Sequence, residues 1–304
     1  MTAVLIALAV LVALPFVAEW MRRPMSAARQ SQAPGQMARL PQGATHFTWH
    51  GDAGQPVAVC VHGLSTPSFV FAATVRSLTA LGFQVLTYDL YGRGFSDRVR
   101  GKQDLRFHLA QLKALLAHEA VEGPITLIGF SMGGQIATGF AARDDRVERL
   151  ILVAPSGLAD TAGVAPEWVW TAPVIGDWMM RVLGGIWLRR ELVEHKSVAT
   201  VIPDFEDRQA AETRVRGYLP ALLSSRRHLL DAPEVEDHRQ VARRAQPVLA
   251  IWGSIDPVIP RRAISGLALL NPDARHVEIK GAGHNLLQTH PSEVAEAFKD
   301  FLTG

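Results

Sequence analysis

Residues 125–142 read ITLIGFSMGGQIATGFAA, with Gly129-Phe130-Ser131-Met132-Gly133 at the centre. The residues before Gly129 have the branched, apolar character of a buried strand. Those after Gly133 read as a helix. Between the two lies G-x-S-x-G in the strand–turn–helix setting that the motif needs. A sharp turn from strand to helix crowds the backbone, so Gly129 and Gly133 avoid clashes that a Cβ would cause. The turn lifts Ser131 to the edge of a sheet. The helix N-terminus beside it supplies oriented N–H groups and partial positive charge, which favour a developing anion. Ser131 is therefore the candidate nucleophile.

Working outward, short apolar runs recur at Val57–Val61, Gln84–Tyr88, Ile125–Gly129, Leu150–Ala154, Pro247–Trp252 and His276–Ile279. Their Val, Ile and Leu content without strict alternation fits strands buried on both faces. Helical patterns lie between them. Phe71, Val75 and Leu78 share a face, and Val294, Ala297, Phe298 and Phe301 follow i, i+3, i+4, i+7 spacing just after Pro291. The expected fold class is α/β, with a mainly parallel central sheet covered by helices on both faces. The rhythm breaks between about 157 and 244, a stretch that carries Trp168, Trp170, Trp178 and Trp187 and includes AETRVRGYLPALLSSRRHLL as a candidate pair of helices. Taking the fourth apolar run as the sixth strand, this insertion is a helical cap over the C-terminal edge of the sheet, where ligands bind in open α/β sheets. The tryptophans are expected to pack its core.

A serine hydroxyl is a weak nucleophile without a base. Of eleven histidines, His284 in Lys280-Gly281-Ala282-Gly283-His284-Asn285 follows the last strand on a glycine-rich loop and is the candidate base. His290 is its rival, at the start of the final helix. His46, His50, His62 and His276 are read as structural. The imidazole needs an orienting carboxylate. Asp256, in Trp252-Gly253-Ser254-Ile255-Asp256-Pro257, directly follows a strand, and Asp160 is the alternative. Asp89, in Asp89-Leu90-Tyr91-Gly92-Arg93-Gly94, is expected to shape its own loop. The oxyanion of a tetrahedral intermediate needs donors, expected from the backbone N–H groups of Met132 and of Leu64, in Val61-His62-Gly63-Leu64-Ser65. The glycines around Arg93 lack nucleotide-loop spacing. No H-E-x-x-H or Cys/His cluster points to a catalytic metal, and no cofactor is expected.

Taken together, VCVHGLS, LTYDLYGRGFSDR, LIGFSMGGQIA, AIWGSIDPVIP and GAGHNLLQTHP, in this order from about Val57 to the C-terminus, resemble the α/β-hydrolase superfamily. Within it the chain looks most like monoacylglycerol-lipase-like and carboxylesterase-like bacterial members. The resemblance implies a serine hydrolase with a Ser131–Asp256–His284 triad that cleaves carboxylic esters, lipidic ones included. Carbon–carbon bond hydrolases and lactonases share the same segments and remain alternatives, as does a non-catalytic ligand-binding member of the fold. Relatives with an aspartate nucleophile are disfavoured, because the turn carries Ser131.

The chain of 304 residues is 48% hydrophobic and 20% charged, as befits a packed globular body. A formal charge of +2 and the lack of a long basic run argue against a nucleic-acid partner. The single cysteine, Cys60, lies in an apolar run and is expected to be buried. Thr2 to Ala18 carries no charge, and Glu19 and Trp20 follow. Seventeen residues span roughly 25 Å as a helix, near the lower limit for crossing a bilayer. No basic n-region precedes the stretch, so residues 1–23 are expected to be an uncleaved anchor and not a signal peptide. Arg22, Arg23, Arg29 and Arg39 lie on its C-terminal side, which places the body in the cytoplasm at the inner membrane. Residues 24–44, rich in Pro, Gln and Ser, read as a linker, and residues 45–304 as the α/β domain. An anchor, an aromatic cap and an ester-cleaving triad together point to a small ester substrate of lipidic character.

Overall fold

The computed structural model describes residues 1–159, 172–195, 200–230 and 235–304. Its frame is one eight-stranded sheet in the order β1-β2-β4-β3-β5-β6-β7-β8. The strands are β1 (Gln36–Leu40), β2 (Gly43–His50), β3 (Val57–Val61), β4 (Gln84–Tyr88), β5 (Ile125–Phe130), β6 (Val147–Val153), β7 (Val248–Gly253) and β8 (Arg275–Ile279). From β4 to β8 every pairing is parallel, while β1 and β2 add an antiparallel edge. All six residues of β5 and all six of β7 are buried, which explains why they carry apolar side chains at successive positions.

The flanking helices bury one stripe each. After a short α2 (Ala27–Gln30), these include α3 (Ala72–Ala80), α4 (Leu105–His118) and α5 (Met132–Ala141). Phe71 stands in a 3₁₀ turn, Ser68–Phe71, that leads into α3. At the other end come α10 (Arg262–Leu270), α11 (Leu286–Thr289) and α12 (Pro291–Thr303). Val294, Ala297 and Phe298 of α12 are buried as their spacing requires, and Pro291 opens the helix where its missing N–H costs nothing.

Two expectations need correction. The segment 24–44 is not a linker throughout. Its residues Gln36–Leu40 form β1, paired in register with β2 from Gln36↔Phe47 to Leu40↔Gly43, so the sheet begins ahead of Thr45. Only Ala38 and Leu40 turn inward, and so short an edge strand has too little apolar content to stand out in the sequence. The cap is also shorter than 157–244. Among the described residues it comprises α6 (Ile175–His195), α7 (Phe205–Glu212) and α8 (Tyr218–Ser225), with a π-helical turn at Arg226–Leu230. The next helix, α9 (Val235–Arg243), packs on the sheet body: Val241 joins the main core, and Arg143 bonds Asp237 at 2.7 Å.

The cap has a core of its own, built from Met180, Leu188, Tyr218, Leu219, Leu222 and Leu223, with Trp187 packed against it. Trp168 and Trp170 lie outside the described residues. The pair of helices expected around residues 211–230 is broken at Gly217, whose φ of +85° suits glycine. The cap rests on loops that leave the C-terminal ends of the strands. Tyr218 Oη donates to Ser65 O at 2.6 Å, and Gln209 Nε2 to Ser65 Oγ at 2.8 Å.

A buried carboxylate sits in this joint. Glu212 of α7 accepts the Gly94 N–H at 2.9 Å and lies 3.6 Å from Arg98. Burial, against the opposing pull of Arg98, pushes its carboxyl up to about 7. The unfolded value is 4.5, so between these limits the native state holds the extra proton. The resulting stability is full below the unfolded value and is lost as pH rises to about 7. Glu212→Gln keeps an acceptor for Gly94 but cannot titrate. Urea unfolding is expected to show wild type losing on the order of a few kcal/mol relative to the variant across that window. Parallel pH profiles would rule out Glu212 as the titrating group.

Candidate active site

The strand order brings the site together. β3 and β5 are parallel neighbours in register, Val61 opposite Gly129, so the loops that follow them leave the sheet side by side. β7 and β8 are likewise neighbours, Gly253 opposite Ile279. The loops after these four strands carry Gly63-Leu64, Ser131, Asp256 and His284.

Ser131 occupies the turn between β5 and α5 with φ 54° and ψ −121°, a conformation that costs about 1–3 kcal/mol for a residue with a Cβ. Its N–H donates to Val153 O at 2.9 Å, and its carbonyl accepts from Gly134 and Ser156. A Cβ on Gly133 would stand 2.0 Å from Val61 O, and one on Gly129 would stand 2.4 Å from Gly133 O. Both glycines therefore permit the close packing of α5 on the ends of β3 and β5.

Ser131 Oγ lies 3.0 Å from His284 Nε2, and His284 Nδ1 lies 2.9 Å from Asp256 Oδ2. With the Nδ1–H donated to the carboxylate, Nε2 is free to accept the serine proton. The Phe130 ring covers the imidazole, centroids 5.3 Å apart. Asp256 Oδ1 accepts the N–H groups of Val258 at 2.7 Å and Ile259 at 2.9 Å, while Pro257 contributes no donor. Burial alone would raise the Asp256 carboxyl. The bond and charge of His284, with the two N–H groups, outweigh it and hold the carboxyl below the usual range.

The other candidates fall elsewhere. Asp160 lies outside the described residues. His290 bonds Thr289 Oγ1 beside it, His50 bonds Thr87 Oγ1, and His276 accepts from Trp252 Nε1. His46 pairs with Asp89, whose other oxygen accepts the N–H and hydroxyl of Ser68; Asp89 Oδ2 also accepts the Phe95 N–H at 2.9 Å and so ties down the loop that follows it. Cys60 is buried.

His62 is structural, but it acts on the site. Its Nε2 accepts the Leu90 N–H at 2.9 Å, which leaves Nδ1–H to donate to Gly63 O at 2.8 Å. Burial lowers its pKa to about 4, so it stays neutral in this tautomer. It thereby holds the Gly63-Leu64 loop against Ser131, where a Cβ on Gly63 would come within 3.2 Å of Ser131 Cβ. Among the described residues, the N–H groups of Leu64 and Met132 donate to no protein acceptor. Met132 directly follows Ser131 in the chain, and Leu64 follows Gly63, which packs against Ser131.

Arg93 escaped the sequence reading. Fully buried, it donates from Nε to Leu64 O at 3.1 Å, from Nη1 to Tyr91 O and Gln103, and from Nη2 to Ser225 Oγ at 2.9 Å. It thus joins cap helix α8 to the carbonyl of Leu64. The one hint was an arginine between two glycines just after a strand. Among the described residues no group of His, Cys, Asp and Glu is arranged to hold a metal ion.

The LipZ protein of Mycobacterium tuberculosis is 26% identical over 268 residues, covering 83% of this chain and 90% of its own. A pimeloyl-[acyl-carrier protein] methyl ester esterase of Xanthomonas axonopodis is 26% identical over 258 residues, covering 81% and 95%. Among solved structures, a membrane phospholipase A described as a bacterial virulence factor superimposes with a TM-score of 0.70 at 19% identity, covering 100% of this chain and 96% of its own. Residues 58–297 match the alpha/beta hydrolase family, and the chain belongs to that family of hydrolases.

Proposed function

We propose that the protein hydrolyses carboxylic esters of lipidic character through an acyl-enzyme on Ser131. The observation that carries this reading is the continuous relay from Ser131 Oγ to His284 Nε2 at 3.0 Å and from His284 Nδ1 to Asp256 at 2.9 Å. His284 takes the serine proton as Oγ attacks the acyl carbonyl. The N–H groups of Leu64 and Met132 receive the oxyanion, and Asp256 stabilises the imidazolium. Collapse of the intermediate breaks the bond to the alcohol, which leaves with the proton from Nε2. Water then gives its proton to His284 and attacks the acyl carbon. Breakdown of the second intermediate releases the acid and returns the proton to Ser131.

The lipidic part of the reading rests on α1 (Thr2–Trp20), a helix long and apolar enough to cross a membrane. The likeness to the membrane phospholipase A spans the whole chain, this helix included. We take residues 1–23 as a retained single-pass anchor at the inner membrane, with the hydrolase domain on the cytoplasmic side.

Ser131→Ala is expected to lower turnover of a nitrophenyl ester by roughly 10⁵-fold or more with an unchanged circular dichroism spectrum. Substantial residual turnover removes Ser131 from the mechanism. Asp256→Asn should lower kcat on the order of 10⁴-fold. A normal rate there, with loss in Asp160→Asn, would reassign the acid. Because the strain at residue 131 is paid by the Cβ, Ser131→Gly should be inactive yet about 1 kcal/mol more stable than Ser131→Ala in urea melts. Equal stability would mean that the turn is not strained. Long-chain monoacylglycerols should be preferred over short polar esters, and the reverse order would remove the lipidic assignment.

A further inference from the structure

The N-terminal helix is fastened to the cap. Arg22 donates to Thr213 O at 3.2 Å and to Arg181 O at 2.6 Å, while its Nη1 pairs with Glu19. Arg216 reaches back to Glu19 O and Trp20 O, and Glu19 accepts the Gly217 N–H. Arg23 forms a parallel bridge with Val215, its N–H donating to Arg214 O at 3.0 Å and its carbonyl accepting from Arg216 at 2.9 Å.

A more telling contact lies further up the helix. Pro15 stands inside α1 and has no N–H, so the carbonyl of Leu11, four residues earlier, loses its helical partner. Trp178 Nε1 of α6 donates to that carbonyl at 2.7 Å. In water an exposed carbonyl finds a partner at little cost, but in hydrocarbon an unpaired one costs several kcal/mol. One turn before Trp178 on the same face of α6 stands Ile175, 60% exposed, and Val174, just ahead of the helix, is 79% exposed. Along α1, Leu8, Leu11, Val12 and Phe16 are more than half exposed. Two exposed apolar surfaces from distant parts of the chain thus adjoin through the Trp178–Leu11 bond.

Leu11 lies nine residues before Trp20, about 13 Å along the helix. Half of a hydrocarbon core is about 15 Å. Trp20, with the exposed Arg23 and Arg214 beside it, forms an aromatic and basic belt suited to the headgroup level. With that belt at the interface, Leu11 and the indole that serves it fall within the acyl region of the adjacent leaflet. The neighbouring Asp177 does not oppose this placement, because it is paired with Arg227 at 2.6 Å and Arg181 at 3.5 Å.

We propose that the start of α6, with Ile175 and Trp178 in its first turn and Val174 just ahead of it, is immersed with α1 in the near leaflet, so that the cap itself is part of the bilayer-binding surface. The partner is the acyl region of a lipid bilayer. The proposal rests on the membrane reading of α1 and adds to it that the cap enters the lipid. Single cysteines at Val174→Cys, Ile175→Cys, Val4→Cys and Glu296→Cys are labelled with an environment-sensitive fluorophore in the full chain, with the buried Cys60 left in place. The labelled proteins are reconstituted into phosphatidylcholine vesicles that carry an acyl-chain nitroxide. Labels at 174, 175 and 4 should be quenched several-fold more than the label at 296 and be shielded from aqueous iodide. Trp178→Phe, which keeps a ring but removes the donor, should at least halve the nitroxide quenching at 174 and leave that at 4 unchanged. Quenching at 4 with iodide access at 174 and 175 overturns the proposal and leaves the anchor standing. Iodide access at 4 as well overturns both. Unchanged quenching at 174 in Trp178→Phe overturns the role given to the Leu11 bond.

Discussion

The turn at Ser131 imposes the constraint to which the rest of the structure answers. A serine with φ 54° and ψ −121° is held there because its N–H is tied to β6 and its carbonyl to Gly134 and Ser156. The following helix can pack so tightly on β3 only because residue 133 lacks a Cβ. This packing starts α5 directly after Ser131, and Gly63 in the loop after β3 lies against Ser131. The cost of the strained turn is met by a sheet in which β5 and β7 are buried along their whole length. A site built on the loops after four strands of one sheet inherits the rigidity of that sheet.

The positions of Ser131, Asp256 and His284 were legible because each depends on local context alone. Each lies within five residues of the end of a strand, and each carries its own signal: two glycines, a proline, or a glycine-rich loop. The parallel sheet was legible for the same reason, since β5 and β7 need apolar residues on both faces. Strand β1 was not, because an edge strand with two inward side chains leaves little pattern. Arg93 and Glu212 were not legible either. Their partners lie more than a hundred residues away, Ser225 for one and Gly94 for the other, and only the docked cap brings them together. A cap has no periodic relation to the sheet, so its contacts cannot be read from spacing.

Those contacts give the cap a double attachment. On one side Arg93, Gln209 and Tyr218 bind it to the loops after β3 and β4. On the other, Arg22, Arg216 and the bridge at Arg23 bind it to α1. The covalent route from α1 into the sheet is longer. It passes through residues 21–35 and enters at β1, the edge strand, three strands away from β3. At about 4.8 Å per strand that entry stands roughly 14 Å from the loop that presents Leu64. The non-covalent route reaches Ser65, the next residue in that loop, directly through α7 and α8. A restraint on α1 therefore arrives at the Leu64–Ser65 loop through the cap before it arrives through the chain. Arg93 is where this route ends, since one guanidinium holds both the Ser225 hydroxyl of the cap and the carbonyl of Leu64. Its full burial with neutral acceptors, which lowers its pKa to about 9, is a cost that the fold carries to keep the two in register.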